Sequence, residues 1–112
     1  MASLIKKNFD SPDETMNPGE KMKAEVVTVG DTKIQKVTAE AGWQWSKHLK
    51  QTAGTESCEK THRIYMLSGK IAARTNDGEE LEFGAGDCGV IPPGHDGWTV
   101  GDESAVWLEI LN

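Results

Sequence analysis

The sequence predicts an all-β domain, and three observations support this fold class. Short runs rich in β-branched and aromatic residues alternate with turn signals at intervals of about 8 to 12 residues. The runs KIAART and EELEF flank Asn76-Asp77-Gly78, a hairpin signal because Asp-Gly supports the positive φ of a tight turn. No segment has the clear pattern of an amphipathic helix, and the one candidate, residues 46–52, is short and poorly patterned.

The elements follow one another along the chain in a regular order. Residues 1–20 carry prolines and a DSPDE cluster, so we expect an arm with little regular structure. Residues 21–112 are expected to form one domain. Its predicted strands are KAEVVTVG, TKIQKVTA, GWQWSKHL, HRIYMLSG, KIAART, EELEF, CGVI, GWTV and AVWLEIL.

Length and charge restrict the function classes. The chain has 112 residues, which suits one small domain that a homodimer would stabilise. The arm supports this expectation, because Leu4, Ile5 and Phe9 have few partners within one domain and are expected to pack across a second copy. A formal net charge of -6 disfavours nucleic acid and anionic membranes as partners. No apolar run is long enough for a signal peptide or a membrane span, so we expect a cytoplasmic protein.

Three side chains with nitrogen or sulfur donors are candidates for chemistry: Cys58, His62 and His95. On one extended strand Cys58 and His62 would lie about 13 Å apart, too far to share a metal ion. A turn at residues 59–61 would let them face each other, and thiolate with imidazole suits zinc, nickel, iron or copper. The alternative is that Cys58 only packs in the core.

Two cysteines are too few for a disulfide scaffold, although a Cys58–Cys88 bond stays open.

Two stretches resemble the motifs of the cupin superfamily. GAGDCGVIPPGH resembles the second motif, G-x5-P-x-G-x2-H, with Gly86, Pro92 and Gly94 at matching places. HRIYMLSGK resembles the end of the first motif, G-x5-H-x-H-x3,4-E-x6-G, with its last glycine at Gly69. The resemblance covers roughly residues 40–111. It implies a double-stranded β-helix, the jelly-roll barrel of the cupin type, with a site in the barrel mouth.

The residues at the family's ligand positions differ from the usual ones. His62 stands where the family has its glutamate, and the H-x-H pair falls on Glu56 and Cys58. The second motif places its histidine at Gly97, whereas the nearest histidine is His95. The resemblance therefore implies a variant site for one divalent transition metal ion (Zn, Ni, Fe or Mn), with Cys58, His62, His95 and Glu56 as ligands.

Further residues are assigned around this site. Asp96 either orients the His95 imidazole or caps the turn through its own backbone hydrogen bonds. Trp98 and Trp43 are candidates for the wall of a ligand pocket. The remaining candidates are expected to have no role in the site: Trp45, Trp107 and Cys88 in the core, and His48 on the surface.

We predict that the protein binds a transition metal in a mostly apolar pocket. With this metal it is expected to act on a small organic molecule or to sense one. The alternative is a non-catalytic module that has lost its metal and binds an organic ligand alone. A third hypothesis is a purely structural or partner-binding domain. Whether the protein is an enzyme stays open, because no second base, nucleophile or phosphate loop identifies a reaction.

Overall fold

A computed structural model of the chain describes residues 3–111, and they form two antiparallel sheets. The larger sheet has the order β1-β2-β3-β9-β4-β7 and the smaller one β6-β5-β8. The strands are β1 (Glu14–Met16), β2 (Met22–Val29), β3 (Thr32–Ala39), β4 (His62–Ser68), β5 (Lys70–Thr75), β6 (Glu80–Gly84), β7 (Cys88–Ile91), β8 (His95–Thr99) and β9 (Ala105–Ile110). Two short helices, α1 (Trp45–His48) and α2 (Lys50–Ala53), lie between β3 and β4. The predicted all-β class is confirmed.

The core lies between the two sheets. It contains Val37, Met66 and Trp107 from the larger sheet and Ile71 and Phe83 from the smaller one, all buried. Along β9 the buried positions alternate with more exposed ones, as expected for strands with one face in the core. Such burial of large apolar side chains is the main stabilising contribution to the fold.

The hairpin predicted at Asn76-Asp77-Gly78 is confirmed. β5 and β6 pair across it, with Arg74 opposite Glu80, and Gly78 has φ +93°. A positive φ at this position is the conformation that glycine adopts at no steric cost. The turn therefore forms where the local sequence requires it.

The predicted strand GWQWSKHL is wrong. Residues 45–48 and 50–53 are helical, and only Gln44 makes an isolated bridge, to Trp98. The reason is a contact distant in sequence: Asp96 accepts hydrogen bonds from the Ser46 N–H at 3.1 Å and from its hydroxyl at 2.8 Å. A carboxylate on the first N–H groups of a helix stabilises its start.

Two other features differ from the expectation. β1 lies within residues 1–20, where little regular structure was expected, and it pairs with β2 from Glu14 opposite Val26 to Met16 opposite Ala24. Cys88, predicted to be buried, is exposed. Ile91 on the same strand points into the core, and a residue three positions away points to the opposite face. Neither helix in the described range is long and apolar enough to cross a bilayer.

Candidate metal centre and pocket

A pocket of about 540 Å³ opens between the two sheets. Its volume is in the range of pockets that hold small organic molecules. Most of the wall is apolar, and its large members are Trp43, Trp45, Trp107, Ile64, Ile71 and Ile91. The wall thus combines side chains from both sheets and from α1.

Three donor side chains converge in this wall. Cys58 lies in the loop before β4, and its backbone N–H donates to the His95 carbonyl at 2.8 Å. This bridge ties the loop to the first residue of β8, while His62 is the first residue of β4. Each of the three side chains offers one ligand atom, and these atoms lie within 4.8 Å of one another. Cys58 and His95 are buried, with 6% and 4% exposure.

Each histidine is held through its Nδ1 atom. Nδ1 of His62 lies 3.0 Å from Oε1 of Glu109, and the same oxygen accepts a hydrogen bond from the Trp107 indole at 2.8 Å. Nδ1 of His95 lies 2.6 Å from the Pro92 carbonyl, an acceptor that requires the proton to be on that nitrogen. In both rings Nε2 is therefore the nitrogen that remains to coordinate a metal ion.

The Cys58, His62 and Glu109 side chains form a charged chain. Burial opposes ionisation of Cys58, but hydrogen bonds from His62 and His95 outweigh it and lower the pKa from 9.0 to about 6. Burial also disfavours the charged form of His62, but its hydrogen bonds to Cys58 and Glu109 raise its pKa from 6.5 to about 9. Burial raises the pKa of Glu109, and the hydrogen bond and charge of His62 outweigh this and lower it. Near neutral pH these values correspond to a thiolate, an imidazolium and a carboxylate in series.

The donor set fits a transition metal ion. Sγ of Cys58 and Nε2 of His62 are 3.5 Å apart. Two donors on one tetrahedral zinc ion lie about 3.3 to 3.8 Å apart, given the usual metal–ligand distances. A thiolate with two imidazoles favours zinc and late first-row ions over magnesium or calcium. A tetrahedral ion held by these three donors would have one position left for another ligand.

The structure does not bring Glu56, the fourth predicted ligand, to this group. Its side chain is 94% exposed and forms an ion pair with Lys50 at 2.9 Å. The turn after α2 directs it to solvent, while Cys58, two residues later, is drawn inward by its bridge to β8. Among residues 3–111, the side chains grouped as metal donors are therefore Cys58, His62 and His95.

Asp96 and Trp98 also lie outside the pocket wall, because the pleat of β8 turns them away from it. His95 and Thr99 are buried on one face, whereas Asp96 and Trp98 lie on the other. Asp96 accepts the Gly97 N–H at 2.9 Å within β8, besides its bonds to Ser46, so in the described part of the chain it neither forms a hydrogen bond with His95 nor caps the turn before β8. The ring of Trp98 lies 5.8 Å from the guanidinium carbon of Arg74.

The other assigned side chains follow the expectations more closely. Trp43 is 6% exposed and lines the pocket. Trp45 and Trp107 are buried as predicted, but they also line the pocket, where no role was expected for them. His48 is half-buried outside the pocket wall, with Nδ1 3.0 Å from the Gln44 backbone nitrogen. Cys58 and Cys88 are both free cysteines, with no disulfide bond between them.

Glu109 belongs to the site but was not among the residues predicted from the sequence. In β9 it shares the inward parity of Ala105 and Trp107, and it is 6% exposed. A glutamate at an inward position of an otherwise apolar strand is an available signal, because such a carboxylate is buried only with a partner. Its partner, His62, lies 47 residues away.

Comparison with known proteins agrees with this architecture. A family model described as the EutQ-like cupin domain matches residues 34–107. No curated protein sequence matches the chain significantly.

Several solved structures share the fold. Oxalate decarboxylase of Lactobacillus farciminis, in a formate complex, is 21% identical with a TM-score of 0.61; the match covers 87% of this chain but only 30% of that protein. The polyketide cyclase RemF of Streptomyces resistomycificus is 15% identical, with a TM-score of 0.67 over 96% of this chain and 78% of its own. KdgF of a Halomonas species is 19% identical, with a TM-score of 0.58 over 88% of both chains. At these identities the similarity shows the fold alone.

Proposed function

Because the chain belongs to the EutQ-like cupin domain family, we propose that it binds one divalent transition metal ion and acts on or senses a small organic molecule. The observation that carries this proposal is the convergence of Cys58, His62 and His95 in the wall of an apolar pocket. Zinc, nickel, iron and manganese are the candidate ions. When bound, such an ion supplies Lewis acidity at its open position, which could polarise a carbonyl or activate water or oxygen.

The protein's own residues prepare this site. Glu109 and the Pro92 carbonyl hold the protons on Nδ1 of the two histidines and so present Nε2 to the ion. The apolar wall restricts water around the site and strengthens electrostatic interactions within it. These properties support metal binding over the alternative of an organic ligand alone.

Metal analysis of single variants tests the proposal. Untagged protein saturated with zinc, nickel, iron or manganese and then dialysed should retain close to one ion per chain with at least one of these metals. Cys58→Ser, His62→Ala and His95→Ala should each lose most of it, because a three-donor site loses much of its affinity with one donor gone.

Two matched controls separate this from general damage. Cys88→Ser changes the exposed cysteine, and His48→Ala changes the histidine outside the pocket, so both should keep their metal. Full metal content in His62→Ala and Cys58→Ser, or no uptake of any of the four metals by the unaltered protein, would reject the site. The latter result would favour the metal-free ligand-binding module.

We also propose a cytoplasmic homodimer. The location is supported by two free cysteines, which persist in a reducing compartment. The dimer is supported by apolar side chains left exposed on the larger sheet, among them Tyr65 and Val90.

A further inference from the structure

The charged groups of the pocket are confined to one part of it. The metal donors and Glu109 lie where β4, β8 and β9 meet, and the exposed lining residues Glu59 and Lys60 come from the loop beside them. The rest of the wall, as far as the described residues form it, carries no charged side chain and is formed mostly by aliphatic and indole groups. A charged group placed there would lose its hydration without a partner, so this part of the pocket excludes charge.

Beyond the metal donors, three uncharged polar side chains line the pocket: Thr52 and Thr55 are exposed on and just after α2, and the third, Gln35, lies on a strand of the larger sheet. It is half-buried on β3, directly opposite Glu109 of β9, and it lines the pocket. The strand order β3-β9-β4 puts it two strand spacings, about 10 Å, from the strand that carries His62. Within residues 3–111 its amide has no hydrogen-bond partner, so its hydrogen-bonding capacity is available to a ligand.

A second polar group in the wall also lacks a partner. Nε1 of Trp43 is buried and has no acceptor among the described residues. Trp43 packs against Trp107, with ring centroids 6.4 Å apart, and Trp107 neighbours Val37 on the same strand as Gln35. An indole N–H can only donate, whereas an amide donates or accepts, so a hydrogen-bond acceptor can satisfy either group.

We infer that the pocket takes a largely apolar molecule that binds the metal at one end and presents an uncharged hydrogen-bond acceptor to Gln35 at the other. This inference rests on the proposed metal site and adds the class of ligand. Gln35 is then a specificity-determining residue. The apolar wall contacts the apolar part of the molecule, and the Gln35 amide favours molecules with a hydrogen-bond acceptor at the end remote from the metal.

Three benzoates that share a metal-binding carboxylate test the inference. They differ only in the para group, which is a ketone in 4-acetylbenzoate, an apolar group of similar shape in 4-isopropylbenzoate and a charge in terephthalate. Titration calorimetry on the zinc-loaded full chain should give the tightest binding for the acetyl compound, by about fivefold over the isopropyl compound, as expected for one net hydrogen bond. Terephthalate should bind weakest.

The variant Gln35→Leu tests the named residue. It keeps the size of the side chain and removes the amide, so the acetyl compound should lose its advantage while the isopropyl compound binds as tightly or more tightly. Gln51→Leu makes the same chemical change at an exposed position of α2 outside the pocket wall, and it should leave all three affinities unchanged.

The outcomes distinguish this inference from the proposed function. Zinc content is measured on every sample before titration. Zinc-loaded protein that binds the three compounds equally, or a Gln35→Leu variant that keeps the acetyl preference, would overturn the inference and leave the metal site standing. A chain that takes up no metal would overturn both.

Discussion

At the scale of single residues, the site depends on where protons reside. In the metal-free protein, the lowered pKa of Cys58, about 6, and the raised pKa of His62, about 9, stabilise a thiolate beside an imidazolium. A metal ion needs the thiolate but must displace the imidazolium proton from Nε2. The pair therefore presents one ligand already ionised and one still protonated near neutral pH.

This pair predicts a specific pH dependence of metal affinity. Between about pH 6 and 9, binding displaces one proton from His62, so affinity should rise about tenfold per pH unit. Below about pH 6 the Cys58 thiol is also protonated, and the rise should be steeper. Chelator competition across this range measures the dependence. A curve that flattens already at about 6.5, the pKa of an unperturbed imidazole, would contradict the arrangement.

A second prediction concerns Glu109, whose oxygen accepts hydrogen bonds from both His62 and Trp107. Glu109→Gln removes the charge that holds the Nδ1 proton, so metal affinity should fall by about 10- to 100-fold. Glu103→Gln changes the same charge at an exposed position and should have no effect. Chelator competition and a thermal melt on both variants separate lost affinity from lost folding. Equal affinity in the two variants would show that Glu109 does not position His62.

The residue scale also shows what local sequence can and cannot reveal. Cys58, His62 and His95 could be predicted because donor chemistry is visible in the residue types themselves. The directions of Asp96 and Trp98 could not, because the turn before β8 resets the phase of alternation. The outward orientation of the Glu56 side chain could not be predicted either, since it depends on the bridge between its loop and β8.

At the scale of elements, local signals predict hairpins better than short helices. The β5–β6 hairpin follows from three adjacent residues with turn chemistry. The helices at residues 45–53 depend instead on Asp96, about 50 residues further along the chain, which accepts hydrogen bonds from Ser46. A contact between distant segments leaves no local pattern, so the alternating tryptophans favoured a strand.

Two glycine turns give a prediction at this scale. Gly69, between β4 and β5, has φ +70°, and an added Cβ would lie 2.3 Å from the Ser104 carbonyl oxygen. Gly78 has φ +93° but open space around it. Gly78→Ala should cost about 1 kcal/mol of unfolding free energy from backbone strain alone. Gly69→Ala should cost at least about 2 kcal/mol more, because the backbone of the loop between β8 and β9, which holds Ser104, must move. Urea denaturation measures both, and equal losses would contradict the close contact.

At the scale of the whole molecule, the inner and outer faces of the sheets have different roles. The inner faces enclose the core and the pocket, and β1 with the residues after it adds Met16 and Pro18 to the pocket wall. Strand composition predicts the all-β class, but the order β1-β2-β3-β9-β4-β7 joins strands far apart in sequence. That order places Glu109 beside His62, which is why the charged chain of the site could not be predicted from local patterns.

The outer face of the larger sheet carries the last prediction. Tyr65, Val90, Leu108 and Ile110 lie together there, and Val90 is 64% exposed. Apolar side chains grouped on one face favour burial against another protein surface, and a two-fold dimer would bury them on both copies at once. Light scattering at micromolar concentration should therefore give about twice the mass of one chain.

Two variants locate the interface. Val90→Glu puts a charge among these apolar side chains, on the edge strand β7, so association should weaken or disappear. Leu81→Glu places the same charge at a similarly exposed leucine, 59% exposed on β6 of the smaller sheet, and should leave the mass unchanged. Removal of residues 1–12, which carry the exposed Leu4 and Ile5, should weaken association if the arm packs across the partner. A monomeric mass for the unaltered protein would reject the dimer, and loss of association in Leu81→Glu alone would move the interface to the other sheet.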